Sequence, residues 1–126
     1  HCVTSEIAII RNKFGGVFSY ASRIGLADIR DGSASTILVG ERSSRKGFST
    51  WVGVVHGGDH TVTRIVGTTI RPPNLKKGHL EDFGSRHPGG TQFVFCDGSV
   101  RIVNDGISPE TFKAFGTRSG HEAIGF

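Results

Sequence analysis

An α+β domain built on a mainly antiparallel sheet is the fold that this sequence predicts, and three observations predict it. Asp97-Gly98 stands between two runs of alternating apolar character, residues 92–96 (QFVFC) and 99–103 (SVRIV). A short loop of that type between such runs signals a β-hairpin. Ser108-Pro109-Glu110 then carries the marks of a helix start. The composition agrees with both, because Gly supplies 19 of 126 residues beside nine Phe and no Met. A glycine share about twice the usual one favours turns and short strands over a helical bundle.

Along the chain, residues 6–10 (EIAII) form a short apolar run, a strand or a helical turn, broken by Gly15-Gly16. Residues 17–20 read as a brief extended stretch. The segment LADIRDGSAST is turn chemistry, since Asp28, Asp31 and Ser33 bond readily to nearby backbone. Residues 36–41 (TILVGE) follow as a β-branched strand and residues 50–55 (TWVGVV) as another, with Trp51 packing on the core or its edge. Residues 56–60 (HGGDH) make a glycine-rich turn, and residues 61–66 alternate as a strand does. From Gly67 to Gly84 periodicity fades, and Pro72-Pro73, Asn74 and Gly78 suggest a long irregular insertion on the surface.

The hairpin is the sharpest local expectation. A two-residue type I′ loop at Asp97-Gly98 sets Cys96 opposite Ser99, Phe95 opposite Val100, Val94 opposite Arg101 and Phe93 opposite Ile102. Phe93, Phe95, Val100 and Ile102 then share one apolar face, with Cys96, Ser99 and Arg101 on the other. In the helix that follows, Ser108 is the cap, Pro109 the first helical residue, and Glu110 favours the positive end of the dipole. Phe112 and Phe115, three apart, face the sheet, and Gly116 ends the helix.

No internal repeat or low-complexity linker divides the chain, so residues 1–126 read as a single domain. No run approaches the ~18 apolar residues of a membrane span. The chain opens on His1-Cys2, so it reads as a processed piece with any anchor helix lying upstream. Net charge is +4. The cations are scattered, and no aromatic RNA motif or basic helix accompanies them, which speaks against nucleic acid. Cys2 and Cys96 are a candidate disulfide in an oxidising compartment.

The segment HPGGTQFVFCDGSVRIV places His87 nine residues before Asp97-Gly98. With IRDGSASTILVGE, EDFGSRHPGG and GTRSGHE in order around it, the chain resembles the bacterial prepilin-type processing-associated H-X9-DG family from about Gly15 onward. The resemblance implies the β-rich head of a pilin or pseudopilin, displayed outside the cytoplasm, at the cell surface, in the periplasm or secreted. It implies a non-catalytic structural subunit of a filament, type IV pilus, type II secretion apparatus or cell envelope. Its partners would be other pilin-like subunits or itself. Membrane attachment would come only through an N-terminal helix. Signature residues carried over are Glu41, His87, Asp97, Gly98, Arg118 and Glu122.

Each signature residue also has a plain structural reading. Asp97-Gly98 is explained by the turn, and His87 by a hydrogen-bonding post in the preceding loop; a metal site or acid–base pair is the sharper alternative. Glu41, at the end of a strand, needs a basic group or backbone donors, with Arg118 the first candidate. No cofactor is called for. Asp28, Asp31, Asp97 and Asp105 are candidate Ca²⁺ ligands, although their spacing matches no EF-hand loop. His56 and His60 are four apart, but the glycines between them favour a loop over a zinc-binding helix. A Cys96–His87 nucleophile lacks an orienting third group. The alternative to the structural subunit is a soluble extracellular binding module for Ca²⁺ or a glycan.

Overall fold

The computed structural model describes residues 15–18, 22–44 and 65–121. They form an α+β domain. A 3₁₀ turn at Leu26–Asp28 precedes strand β1 (Ile37–Gly40); after a long loop come β2 (Gly90–Phe95), β3 (Val100–Asn104) and helix α1 (Pro109–Phe115). The sheet is antiparallel, in the order β1-β2-β3. Residues 6–10, residues 50–55 with Trp51, the pair His56 and His60, Cys2 and Glu122 lie outside the described residues, as do half of 17–20 and most of 61–66. No helix among the described residues is long and apolar enough to cross a membrane.

The hairpin forms at Asp97-Gly98, but its register is one residue away from the type I′ expectation. Phe93 faces Arg101, Val94 faces Val100, and Gln92 faces Ile102. Gly98 N donates to Phe95 O at 2.9 Å, and Phe95 N donates to Ser99 O at 2.9 Å. Gly98 has φ of +84°, and Asp97 is not among the residues with positive φ. A type I′ turn needs both, so the loop is the three-residue kind, a turn closed by a left-handed glycine. The Asp97 carboxylate holds this geometry by accepting from Ser99 N at 2.9 Å and Ser99 Oγ at 2.6 Å.

A slip of one residue turns a whole strand over. Phe93 and Phe95 stay inside at 1% and 0% exposure, whereas Val100 and Ile102 stand out at 63% and 68%. Arg101 takes the inner side instead, with its guanidinium 4.6 Å from the centre of the Phe95 ring. On the other flank, Ile37 faces Phe95 and Val39 faces Val94. Leu38 is therefore the extra residue of a β-bulge, which swings Val39 to the outer face.

Ile37, Phe83, Phe93, Phe95, Val103, Phe112 and Phe115 make the core, with Ile107 against it. The rings meet edge to face: Phe83–Phe93 at 5.1 Å between centroids, Phe93–Phe112 at 5.6 Å and Phe95–Phe115 at 5.7 Å. This is the favourable arrangement for opposing ring quadrupoles. The helix delivers its two rings as expected: Ser108 Oγ accepts from Thr111 N at 3.1 Å, Pro109 is the first helical residue, and Phe112 and Phe115 are buried. Gly116 ends it with φ of −87°, so conformational freedom is not its role. A Cβ there would lie 1.9 Å from Thr69 Oγ1.

The segment from Gly67 to Gly84 departs from the expectation of a surface insertion. It is irregular, with only isolated bridges at Thr68 and Gly84, yet Thr68, Thr69, Pro73, Asp82 and Phe83 are buried. Its polar character misleads because the polar groups bond within the loop. Asp82 accepts from Arg71 Nε at 3.0 Å and His79 N at 2.7 Å, while Arg71 also reaches Glu81 at 2.8 Å. The tip, with Leu75, Lys76 and Lys77, is exposed, as are Ile70 and His79 on either side of it.

The register makes a test by contrast. Phe93→Ala is expected to destabilise by about 3–5 kcal/mol, while Ile102→Ala changes stability by less than about 1 kcal/mol. Denaturant melts of both variants check this; a core-sized loss at Ile102 would restore the two-residue loop.

Candidate functional site

The described signature residues sit in three separate hydrogen-bonded staples that tie loops to the sheet or to one another. The first gathers around Glu41, where the chain leaves β1. Glu41 Oε1 accepts from Ser85 Oγ at 2.8 Å, and Oε2 accepts from Gln92 N at 3.3 Å. Ser85 Oγ in turn accepts from His87 N at 3.0 Å, and His87 Nε2 lies 3.7 Å from Glu41 Oε1. Glu41 thus has the backbone donor that a carboxylate at a strand end needs, but its side-chain neighbours are Ser85 and His87, not Arg118. The Ser85 hydroxyl points its proton at the carboxylate and the imidazole reaches the same carboxylate. A nucleophile would need the imidazole on the hydroxyl.

The second staple is the Asp97 turn. Ser99 supplies its hydroxyl and amide, and Arg101 adds a contact at 3.3 Å. The Ser99 hydroxyl first, then its amide, and then the Arg101 charge hold the Asp97 carboxyl below its ordinary range. His87 precedes β2 and Asp97 follows it. Six residues at ~3.3 Å each put about 20 Å between the strand's ends. The signature pair therefore cannot share a proton or a metal ion; the nine-residue spacing is the length of a strand with its two flanks.

The third staple joins the two ends of the described chain. Asp31 accepts from Gly120 N at 2.6 Å, His121 N at 2.9 Å and Thr117 Oγ1 at 3.2 Å. Going the other way, Arg30 N and Asp31 N donate to the Arg118 carbonyl at 2.6 and 3.1 Å. Arg118 Nη1 donates to Gly16 O at 2.6 Å, and its amide bonds Gly15 O. Arg118 is thus committed to the glycine pair near residue 15, which corrects its expected pairing with Glu41.

The candidate Ca²⁺ ligands do not converge. Asp28 accepts from Gly25 N at 2.9 Å, Asp105 from Asn74 Nδ2 at 2.7 Å, and Asp31 and Asp97 belong to different staples. Among the described residues no three His, Cys, Asp or Glu side chains gather in a metal-binding group. Cys96 is a half-buried thiol; Cys2, its candidate disulfide partner, lies outside the described residues. Burial first, and then the Asp97 charge, push the Cys96 pKa up, away from a reactive thiolate.

Two participants escaped the sequence reading. Asn74, at φ of +63°, accepts from Ser85 N at 2.7 Å and bonds Asp105, linking the buried loop to the hairpin. An Asn after Pro-Pro is the signal that was available, since Asn tolerates the left-handed region. Ser85 lies inside a quoted motif, yet its role depends on Glu41, 44 residues away, and nothing local reveals that.

A family model described as "Protein of unknown function (DUF1559)" matches residues 2–110, and the chain belongs to that family. No curated protein matches it, and no solved structure does.

Two outcomes are expected from these staples. Asp31→Ala lowers stability by about 1–2 kcal/mol and speeds hydrogen exchange at the Gly120 and His121 amides, which NMR reads directly. Because the folded Asp97 carboxyl titrates below its unfolded value, its stabilising effect is present above the ordinary carboxylate range. That effect fades as pH falls through the lowered folded value. Melting temperatures of wild type and Asp97→Asn should therefore differ at neutral pH and converge in acid.

Proposed function

We propose that this domain is the head of a pilin- or pseudopilin-like structural subunit, displayed outside the cytoplasm and assembling with copies of itself or related subunits. The observation that carries this reading is the outer face of the sheet. Val39, Val94 and Val100 stand in one row across the three strands, with Ile102 beside them. Val39, Val100 and Ile102 are 40%, 63% and 68% exposed. Cross-strand neighbours lie about 5 Å apart, so these side chains form one continuous patch. Contiguous exposed apolar surface, unlike a single exposed valine, marks a contact face. The basic loop tip at Leu75, Lys76 and Lys77 is a second candidate contact, since loops on a rigid scaffold carry recognition.

The reading assigns the domain no reaction. The carboxylates, the hydroxyl and the imidazole of the signature motifs are engaged with one another or with backbone amides, as a fold-holding role requires. A Ca²⁺-binding module, the alternative, draws no support from carboxylates spread over separate staples.

The test is photo-crosslinking in the native cell envelope from a reactive residue at position 102, using the full-length protein. Crosslinks to a second copy or a related subunit are expected. Val100→Lys with Ile102→Lys should abolish them while leaving the isolated domain's melting temperature within a few degrees. A native protein that stays monomeric, or crosslinks indifferent to the double variant, would reject the assembly role.

A further inference from the structure

The third staple also builds a concave site of unusual charge. Between the segment carrying Arg23 and Ile24, the 3₁₀ turn and the Arg118 loop lies an open cleft of about 360 Å³, lined by Arg23, Ile24, Asp28, Arg30, Arg118 and Ser119. Three arginines thus line one opening against one aspartate. That carboxylate is itself held, by Gly25 N at 2.9 Å. Arg23 and Arg30 have no side-chain partner among the described residues, and both are exposed.

Their placement is not the chance meeting of mobile side chains. Arg30 and Arg118 are 88 residues apart in sequence, and main-chain bonds lock them together: the amides of Arg30 and Asp31 both donate to the Arg118 carbonyl. The Arg118 side chain is fixed in turn by Gly16 O. Rigid backbone therefore presents like charges to one concavity, where their mutual repulsion favours an anionic guest. Guanidinium is the group best matched to carboxylate, since its planar fork gives two parallel hydrogen bonds. The volume lies within the range of small-ligand clefts. Ile24 on the wall and Leu26 beside it, 71% exposed, offer apolar contact to the carbon skeleton between the charged groups.

We infer that this cleft binds a ligand carrying two or more carboxylates, with Arg23, Arg30 and Arg118 as the charge-recognising residues. The site is separate from the apolar outer face of the sheet and stands or falls independently of the assembly role.

Citrate is the probe, with acetate and inorganic phosphate as comparison ligands, titrated at low ionic strength into the intact chain and followed by amide NMR shifts. Citrate should shift the amides of Arg30, Arg118 and Ser119 saturably, and acetate should bind at least tenfold more weakly. Arg23→Gln with Arg30→Gln should weaken citrate at least tenfold at an unchanged melting temperature. Lys76→Gln with Lys77→Gln removes the same charge elsewhere and should leave binding intact. Absence of a saturable shift with citrate would overturn the inference. So would equal weakening by the lysine pair, which would reduce the effect to net charge. Phosphate binding as tight as citrate would overturn the carboxylate assignment.

Discussion

The ring of Phe83 occupies a slot that can exist only because its walls lack side chains. A Cβ on Gly40 would lie 2.5 Å from that ring, and one on Gly67 would lie 2.4 Å from it. Contacts that short force the ring or the backbone to move, and a ring enclosed by two other rings has nowhere to go. Phe83 therefore sets the distance between β1 and the long loop. Its edge-to-face contacts with Phe93 and Phe112 extend the same constraint to the central strand and to α1. The loop, the sheet and the helix close on one residue. With regular structure so short among the described residues, that single steric fit does the work of continuous ladders in fixing the layers.

The second constraint acts at the other end of β2, and it decides what the molecule shows to its surroundings. An Asp-Gly pair is compatible with a two-residue or a three-residue loop. The choice falls to the Asp97 carboxylate, which bonds the amide and hydroxyl two residues on and keeps Asp97 out of the left-handed region. That local bond fixes the register, and the register places Val100 and Ile102 on the outside. The bulge at Leu38 does the same for Val39. A turn geometry worth a few hydrogen bonds thus creates an apolar face that alternation alone would have assigned to the core.

The fold class, β1, the central strand and the helix with its cap were legible in the sequence, because each depends on contacts within a few residues. Ser108, Pro109, Phe112 and Phe115 behave as local rules say. What was not legible depends on partners distant in sequence. The side chains of β3 pass from inside to outside on a one-residue difference that hydrophobic pattern cannot resolve, since Val100 and Ile102 look like core residues in either register. The stretch from Gly67 to Gly84 looked solvated because Arg71, Glu81 and Asp82 are charged, yet they neutralise one another inside the loop. A carboxylate at the end of a strand such as Glu41 announces a need for partners, but Ser85 and His87 become those partners only where the chain folds back. The same holds for Arg118, whose bonds to Gly15 and Gly16 span about a hundred residues.

One rule runs through the three staples. Asp28, Asp31, Glu41, Asp82 and Asp97 each accept a hydrogen bond from a main-chain amide. Loop backbone outside strands and helices carries donors that regular structure leaves unsatisfied. Short acidic side chains are well suited to meet them, because an ionised carboxylate accepts without needing to donate. A loop-rich domain built this way turns its acids toward its own backbone. Some cations are used in the same way, Arg71 on Asp82 and Glu81 and Arg118 on the Gly16 carbonyl, and others are not. The latter are left on the surface, where Arg23 and Arg30 lack side-chain partners among the described residues. The net charge of +4 understates this asymmetry, because the acids among the described residues are largely engaged within the fold. The positive cleft beside Arg118 follows from how the chain satisfies its own amides: the Arg30 and Asp31 amides that donate to the Arg118 carbonyl bring the arginines together, and the Asp31 carboxylate on the 120–121 backbone secures the same loop.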